Sequence, residues 1–160
     1  RTTEIRLSTW DEWELDTKLW TVPKENSKTG ERLRPIPDLV IPWLVEMRQR
    51  NDGHFILGEV KSPEAVSQNG GTFYKRLKHK ERWTLHSLRH TFITKNADLG
   101  AAPHVVELLA GHELGGVFSI YNRAEYLPEK LAVINRYIDR LELLAEPQEN
   151  VIPATFGKTA

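Results

Sequence analysis

The sequence predicts a mainly helical α+β domain built around a small antiparallel sheet. Three observations predict it. Short β-forming runs at Glu14–Asp16, Leu19–Pro23 and Arg32–Pro37 are separated by Asp16-Thr17-Lys18 and by a polar stretch ending in Lys28-Thr29-Gly30, the pattern of strands joined by a turn and a long hairpin loop. Most of the remaining chain carries apolar residues at helical spacing. Glycine and proline punctuate these segments where helices should stop and start, as at Gly100, Pro103 and Gly111.

Taken in order, Arg1–Thr9 reads as the end of a helix that starts upstream. After the strands, Asp38 is placed to cap a helix through Gln49, with Leu39, Trp43, Leu44 and Met47 at helical spacing and Pro42 in its first turn. Asn51-Asp52-Gly53 ends it, and His54–Leu57 reads as a short strand. Ser62–Asn69 is expected to be a loop, followed by helices over Gly71–His79, His86–Leu99 and Pro103–Ala110. A short helix should include Tyr121, and a long one should span Pro128–Leu144, with Leu131, Ile134, Ile138, Leu141 and Leu144 on one stripe. That stripe suits packing on its own domain or on a neighbouring protomer. The residues after 145 lack periodicity and read as a flexible tail. The unit of organisation is therefore one domain over residues 1–145, with a tail over 146–160.

The absence of cysteine excludes disulfides, thiolate metal sites and a thiol nucleophile. No apolar run approaches the roughly 18 residues of a membrane span, and no signal-peptide pattern opens the chain. The first residue is Arg rather than Met, which reads as a piece of a longer protein. Formal net charge is zero, so any affinity for a polyanion must come from local placement. Lys75, Arg76, Lys78, Lys80 and Arg82 form such a band, with Glu81 as its only acid. It is either a solvated helix face or a phosphate-binding surface.

One constellation carries chemistry. His86, Arg89 and His90 occupy i, i+3 and i+4 positions of a predicted helix, with Leu85, Leu88, Phe92 and Leu99 on another face. His112 follows Gly111, and Tyr121 follows in the next segment. Arginine grips phosphate oxygens through two parallel donors, histidines exchange protons, and a phenol can attack phosphorus. The His86/His90 spacing also fits a zinc site, but Ser87 stands where a metalloprotease has Glu, and Arg89 would repel the ion. The stretch Ile93–Arg123 also has the outline of a helix-turn-helix, so a DNA-binding module without chemistry is a competing reading.

These residues resemble the tyrosine recombinases, the lambda-integrase-like family. His86-Ser-Leu-Arg89-His90-Thr-Phe is similar to its HxLRHTF box, Leu108-Leu109-Ala110-Gly111-His112 to its LLGH box, and Tyr121-Asn-Arg-Ala-Glu-Tyr-Leu to the YNRAEYL end of a prophage-integrase subgroup. Arg1-Thr-Thr-Glu4 fits its R-x-x-E box, and Lys28-Thr29-Gly30 before Arg34-Pro35-Ile36-Pro37 fits the hairpin carrying its lysine. The likeness covers residues 1–145 and lacks the family's amino-terminal core-binding domain.

The resemblance implies a helical catalytic domain with a small three-stranded sheet. It implies site-specific recombination through a 3′-phosphotyrosine, in prophage or mobile-element integration and excision. Arg1 and Arg89 would hold the scissile phosphate, His112 would donate to it, and His86 would accept the proton of Tyr121. Lys28, or the nearby Lys24, would protonate the leaving 5′-hydroxyl. No metal or cofactor is implied. The implied partners are double-stranded DNA attachment sites, a tetramer on that DNA and accessory DNA-bending proteins, within a bacterial cytoplasm. Lys75, Arg76, Lys78, Lys80 and Arg82 would hold the DNA backbone. A fragment of the family could equally be inactive by truncation.

Overall fold

The computed structural model describes residues 1–116 and 124–145. Its helices are α1 (Thr2–Arg6), α2 (Ile41–Arg50), α3 (Pro63–Arg76), α4 (Leu85–Asp98), α5 (Pro103–Leu109) and α6 (Leu127–Ala145). Its strands are β1 (Trp13–Glu14), β2 (Leu19–Val22) and β3 (Arg32–Pro35). The strands form one antiparallel sheet in the order β1-β2-β3, as the sequence predicts. The first strand is shifted, with Leu15 and Asp16 lying in the turn.

Register fixes one face of this sheet. Trp13 pairs with Trp20, and Trp20 pairs with Arg34. Directly opposed residues share a face, so the three side chains form a row. The two indoles stack with centroids 4.4 Å apart, and the Arg34 guanidinium lies 5.0 Å from the Trp20 ring. Both indole N–H groups are held: Trp13 Nε1 donates to Ser8 Oγ at 2.7 Å, and Trp20 Nε1 to Glu12 Oε2 at 3.2 Å.

Two apolar cores lie on either side of a polar seam. Trp10, Trp20, Val22, Ile36, Leu44 and Ile56 form the first, between the sheet and α2. Val105, Val106, Leu109 and Val133 form the second, where α4, α5 and α6 meet. Arg34 pairs with Glu4 at 2.8 Å, joining the sheet to α1. Two contacts cross the seam. Thr29 Oγ1 donates to the Gly111 carbonyl at 3.1 Å. Lys130 of α6, itself buried, donates from Nζ to the Leu33 carbonyl of β3 at 3.0 Å and reaches Glu125 at 3.3 Å. Burial lowers the Lys130 pKa, with the Glu125 carboxylate opposing it.

Several expectations are corrected. Ser62–Asn69 is not a loop: Ser62 caps α3 by accepting from Ala65 N–H, and Pro63 occupies its first turn. Gly70 lies inside that helix because a Cβ there would sit 2.8 Å from Leu85 Cγ. The glycine permits close approach rather than marking a break. The helix ends at Arg76, and Lys78 takes a positive φ of 52°. Asp38 does not cap α2. Val40 does so without a side-chain bond, while Asp38 pairs with Lys18. Leu39 and Trp43 are each 58% exposed, and Leu44 supplies the buried contact. Residues His54–Leu57 form only isolated bridges, Thr9 to Phe55 and Phe55 to Gly58. On α6, Lys130 and Val133 face inward while Leu141 and Leu144 are exposed, so the buried stripe differs from the predicted one. The predicted helix around Tyr121 and the tail lie outside the described residues.

Leu44 is buried against the first core. Leu44→Ala should lower the unfolding free energy by about 3 kcal/mol, read from urea denaturation; a loss near zero would show that α2 is not part of that core. Burial pushes the Glu4 carboxyl up, but the Arg34 guanidinium beside it outweighs this and holds the group below the usual carboxylate range. Its contribution is therefore complete above the unfolded value of about 4.3 and is lost as pH falls through the folded value. Glu4→Gln should be less stable than the parent at neutral pH, with the gap closing on acidification. A gap independent of pH would contradict an ionised Glu4.

Candidate active site

The first part of the site is one buried carboxylate, Glu4, held by the Arg34 guanidinium and the Arg1 main-chain nitrogen, with Arg89 within electrostatic reach. Arg1 stands at the start of α1, and its main-chain nitrogen donates to Glu4 Oε2 at 2.9 Å. Arg34 Nη2 meets the same oxygen from β3. Glu4 is buried, which is tolerable for a carboxylate only because it is paired. Arg89 of α4 is half-buried. Its guanidinium is pushed below its ordinary value by burial and then by Arg1 and Arg34, against opposing pulls from Glu4 and Glu107. Arg1 Nη1 is buried and meets no hydrogen-bond partner among the described residues, and the same is true of Glu4 Oε1. Three cations against one buried acid leave a local positive excess in a partly dry setting, the electrostatics of an oxyanion site.

The second part is the turn that ends α5. Gly111 has φ of +72°. Its N–H bonds to the Leu108 carbonyl, and the His112 N–H bonds to the Glu107 carbonyl, both at 2.9 Å. This paired arrangement closes a helix through a left-handed residue and favours glycine there. A Cβ on Gly111 would also lie 3.2 Å from Arg34 Nη2 and 3.4 Å from Glu4 Oε1. The turn carrying His112 therefore rests against the arginine group. His112 Nδ1 is paired with a Glu107 carboxylate oxygen.

The hairpin reaches the same turn. Thr29 accepts from Arg32 Nε at 3.2 Å, its carbonyl accepts from Arg32 Nη2 at 2.6 Å, and its hydroxyl donates to Gly111. Gly30 takes a positive φ of 82° beside it. Lys28 is exposed one residue before this docking point, and Lys24 is exposed on a 3-10 turn (Lys24–Asn26) farther back in the loop.

Arg89 is separated from its two histidine neighbours in environment. His86 and His90 are exposed, their rings edge to face at 4.6 Å, while Arg89 is turned toward Arg1, Glu4 and Arg34. Of the expected anchoring face, Leu88 is 52% exposed while Phe92 packs on the second core as expected, joined by Ile93. Among the described residues no three His, Asp or Glu side chains are grouped to hold a metal ion. His86 lines a cavity of about 670 Å³ with Tyr74, Lys75, Arg82 and Trp83. Arg1, Arg34 and Arg89 are not among its lining residues. Lys75, Arg76, Lys78, Lys80 and Arg82 are all exposed at the end of α3 and on the connection to α4. That connection is shaped by Trp83, which donates to His79 Nδ1 at 2.7 Å and meets Tyr74 edge to face.

Of the sequence-predicted residues, Arg1 and Arg89 are brought together, with His112 on the adjoining turn and Lys28 near that turn. His86 lies toward the basic band. Tyr121 lies outside the described residues. Sequence reasoning assigned no role to Glu4, Arg34, Glu107 or Lys130. A signal existed for Glu107, because glycine after a helix places the residue beyond it against the last turn. None existed for Lys130, whose burial depends on tertiary packing.

Comparison with known proteins agrees with this architecture. Residues 1–127 match the phage integrase family. The chain is 30% identical to tyrosine recombinase XerD of Pseudomonas putida over 133 residues, which are 76% of this chain and 44% of that protein. It is 26% identical to prophage integrase IntZ of Escherichia coli over 151 residues, 89% of this chain and 36% of that one. The chain thus spans less than half the length of these curated relatives. Its fold matches the integrase of transposon Tn1549, solved in complex with transposon right end DNA. The TM-score is 0.59 at 18% identity, covering 89% of this chain and 54% of that one. With its boxes in order on this fold, the chain belongs to the phage integrase family, the tyrosine recombinases.

Proposed function

We propose that residues 1–145 form the catalytic domain of a site-specific DNA recombinase that integrates or excises a prophage or mobile element. The buried Glu4 carboxylate held by Arg34 and the Arg1 main chain, with Arg89 in electrostatic reach and His112 on the adjoining turn, carries this reading. The names of the relatives, and the DNA held by the transposon integrase, support it.

In the mechanism, Arg1 and Arg89 bind the non-bridging oxygens of the scissile phosphate. They stabilise the added charge as phosphorus becomes five-coordinate, and His112 donates a hydrogen bond to the same oxygens. A phenol is a weak nucleophile at neutral pH, with a pKa near 10, so His86 accepts the Tyr121 proton as the oxygen attacks. The bond from phosphorus to the 5′ oxygen breaks, and Lys28 protonates that oxygen. The docking of Thr29 on Gly111 favours Lys28 over Lys24. The product is a 3′-phosphotyrosyl linkage, which a 5′-hydroxyl of the partner strand attacks in the reverse sense. Guanidinium charge does here what paired metal ions do in other phosphoryl-transfer sites. The reaction runs on double-stranded attachment sites in a tetramer with accessory DNA-bending proteins, inside the bacterial host.

A groove-reading module without chemistry is the weaker reading. The helix in the recognition position, α5, buries Val105, Val106 and Leu109 and carries no Lys, Arg, Asn or Gln to read base edges.

A nicked suicide substrate tests the proposal with the full-length protein. It should yield a covalent protein–DNA adduct in EDTA, and Tyr121→Phe should yield none. An adduct that survives in Tyr121→Phe, or none with the parent, would rule it out. The basic band should act on the backbone alone. Lys80→Ala should reduce the salt dependence of DNA binding by about one unit in the log–log slope, equally for specific and random sequence. An unchanged slope would place the DNA elsewhere.

A further inference from the structure

We infer that Glu107 is the positioning residue of His112, fixing both its main chain and the proton on its ring; this rests on the reading of His112 given above. The two residues meet twice. The Glu107 carbonyl accepts the His112 N–H at 2.9 Å, closing the turn through Gly111. The Glu107 carboxylate then faces His112 Nδ1. A carboxylate accepts but cannot donate, so Nδ1 carries the hydrogen. That leaves Nε2 as the edge the ring can offer to a phosphate. A ring with Nδ1–H committed to Glu107 donates from Nε2 only when it holds a second proton, and the Glu107 charge compensates that form. The same charge acts on Arg89, so one carboxylate serves two groups of the site.

Stability does not account for this pair. Its side chains are 39% and 41% exposed, and ion pairs so open to solvent contribute little. A carboxylate behind a working histidine instead sets the tautomer and aims the ring.

The test combines nitrogen NMR of histidine-labelled full-length protein, with His112 assigned by its loss in His112→Gln, and covalent cleavage of the nicked substrate. In the parent, His112 should carry hydrogen on Nδ1. Glu107→Ala should move the resting ring toward the neutral Nε2–H form, and should leave it unaimed and without the carboxylate that compensates the doubly protonated donor. It should also lower the cleavage rate at saturating DNA by about tenfold or more, with DNA affinity and urea midpoint unchanged. Glu107→Gln, whose side-chain oxygen still accepts from Nδ1 but which carries no charge, should keep the parent's tautomer and recover only part of the rate. A parent ring protonated on Nε2 alone, or a Glu107→Ala protein with the parent's tautomer and rate, would overturn the assignment. Absence of adduct from the parent would instead count against the proposed function, and the tautomer would still decide the role of Glu107.

Discussion

Glu4 and Arg34 form the contact on which the site's geometry depends. The carboxylate is buried between two apolar cores and would be costly there alone. Arg34 from the sheet and the Arg1 main-chain nitrogen from α1 make its burial tolerable. In doing so they set α1, the sheet and the Gly111 turn in fixed relation. The helix-closing turn sets the positive φ at Gly111, and the pair lies so close that a side chain there would press on it. Placement of Arg1 and of His112 is thus one problem with one solution.

The fold class, the three strands and the later helices were legible because their signals are local: turn residues, helical spacing, and proline or glycine at helix ends. Where the reading failed, local signals competed with packing. Ser62–Asn69 read as a loop, but it begins α3, and Gly70 is the place where α4 approaches α3 through Leu85. Leu39 and Trp43 looked like core residues by spacing, yet they are exposed while Leu44 and Met47 pack on the first core. The site was legible as a set of residue types in order. The pairings that aim them were not, because Arg34 to Glu4 and Lys130 to Leu33 join segments far apart in the chain.

A neutral chain can still present a strongly polar surface division. The seam concentrates Arg1, Arg34 and Arg89, and the band from Lys75 to Arg82 continues that charge past His86 along one edge. The compensating acids sit elsewhere, at Asp11, Glu12, Glu14 and Asp16 near the first strand and at Glu142 toward the end of α6. A polyanion approaching this molecule therefore meets an oriented field rather than a uniform one.

The stacked indoles of Trp13 and Trp20 have a consequence of an optical kind. Two parallel chromophores 4.4 Å apart couple electronically, and Arg34 lies against the second of them. Their coupled circular-dichroism band is a built-in gauge of the strand carrying Arg34. A shift of that guanidinium would alter the field on the nearer indole more than on the farther one. The protein thus carries, without any label, a chromophore able to report movement at its own arginine cluster.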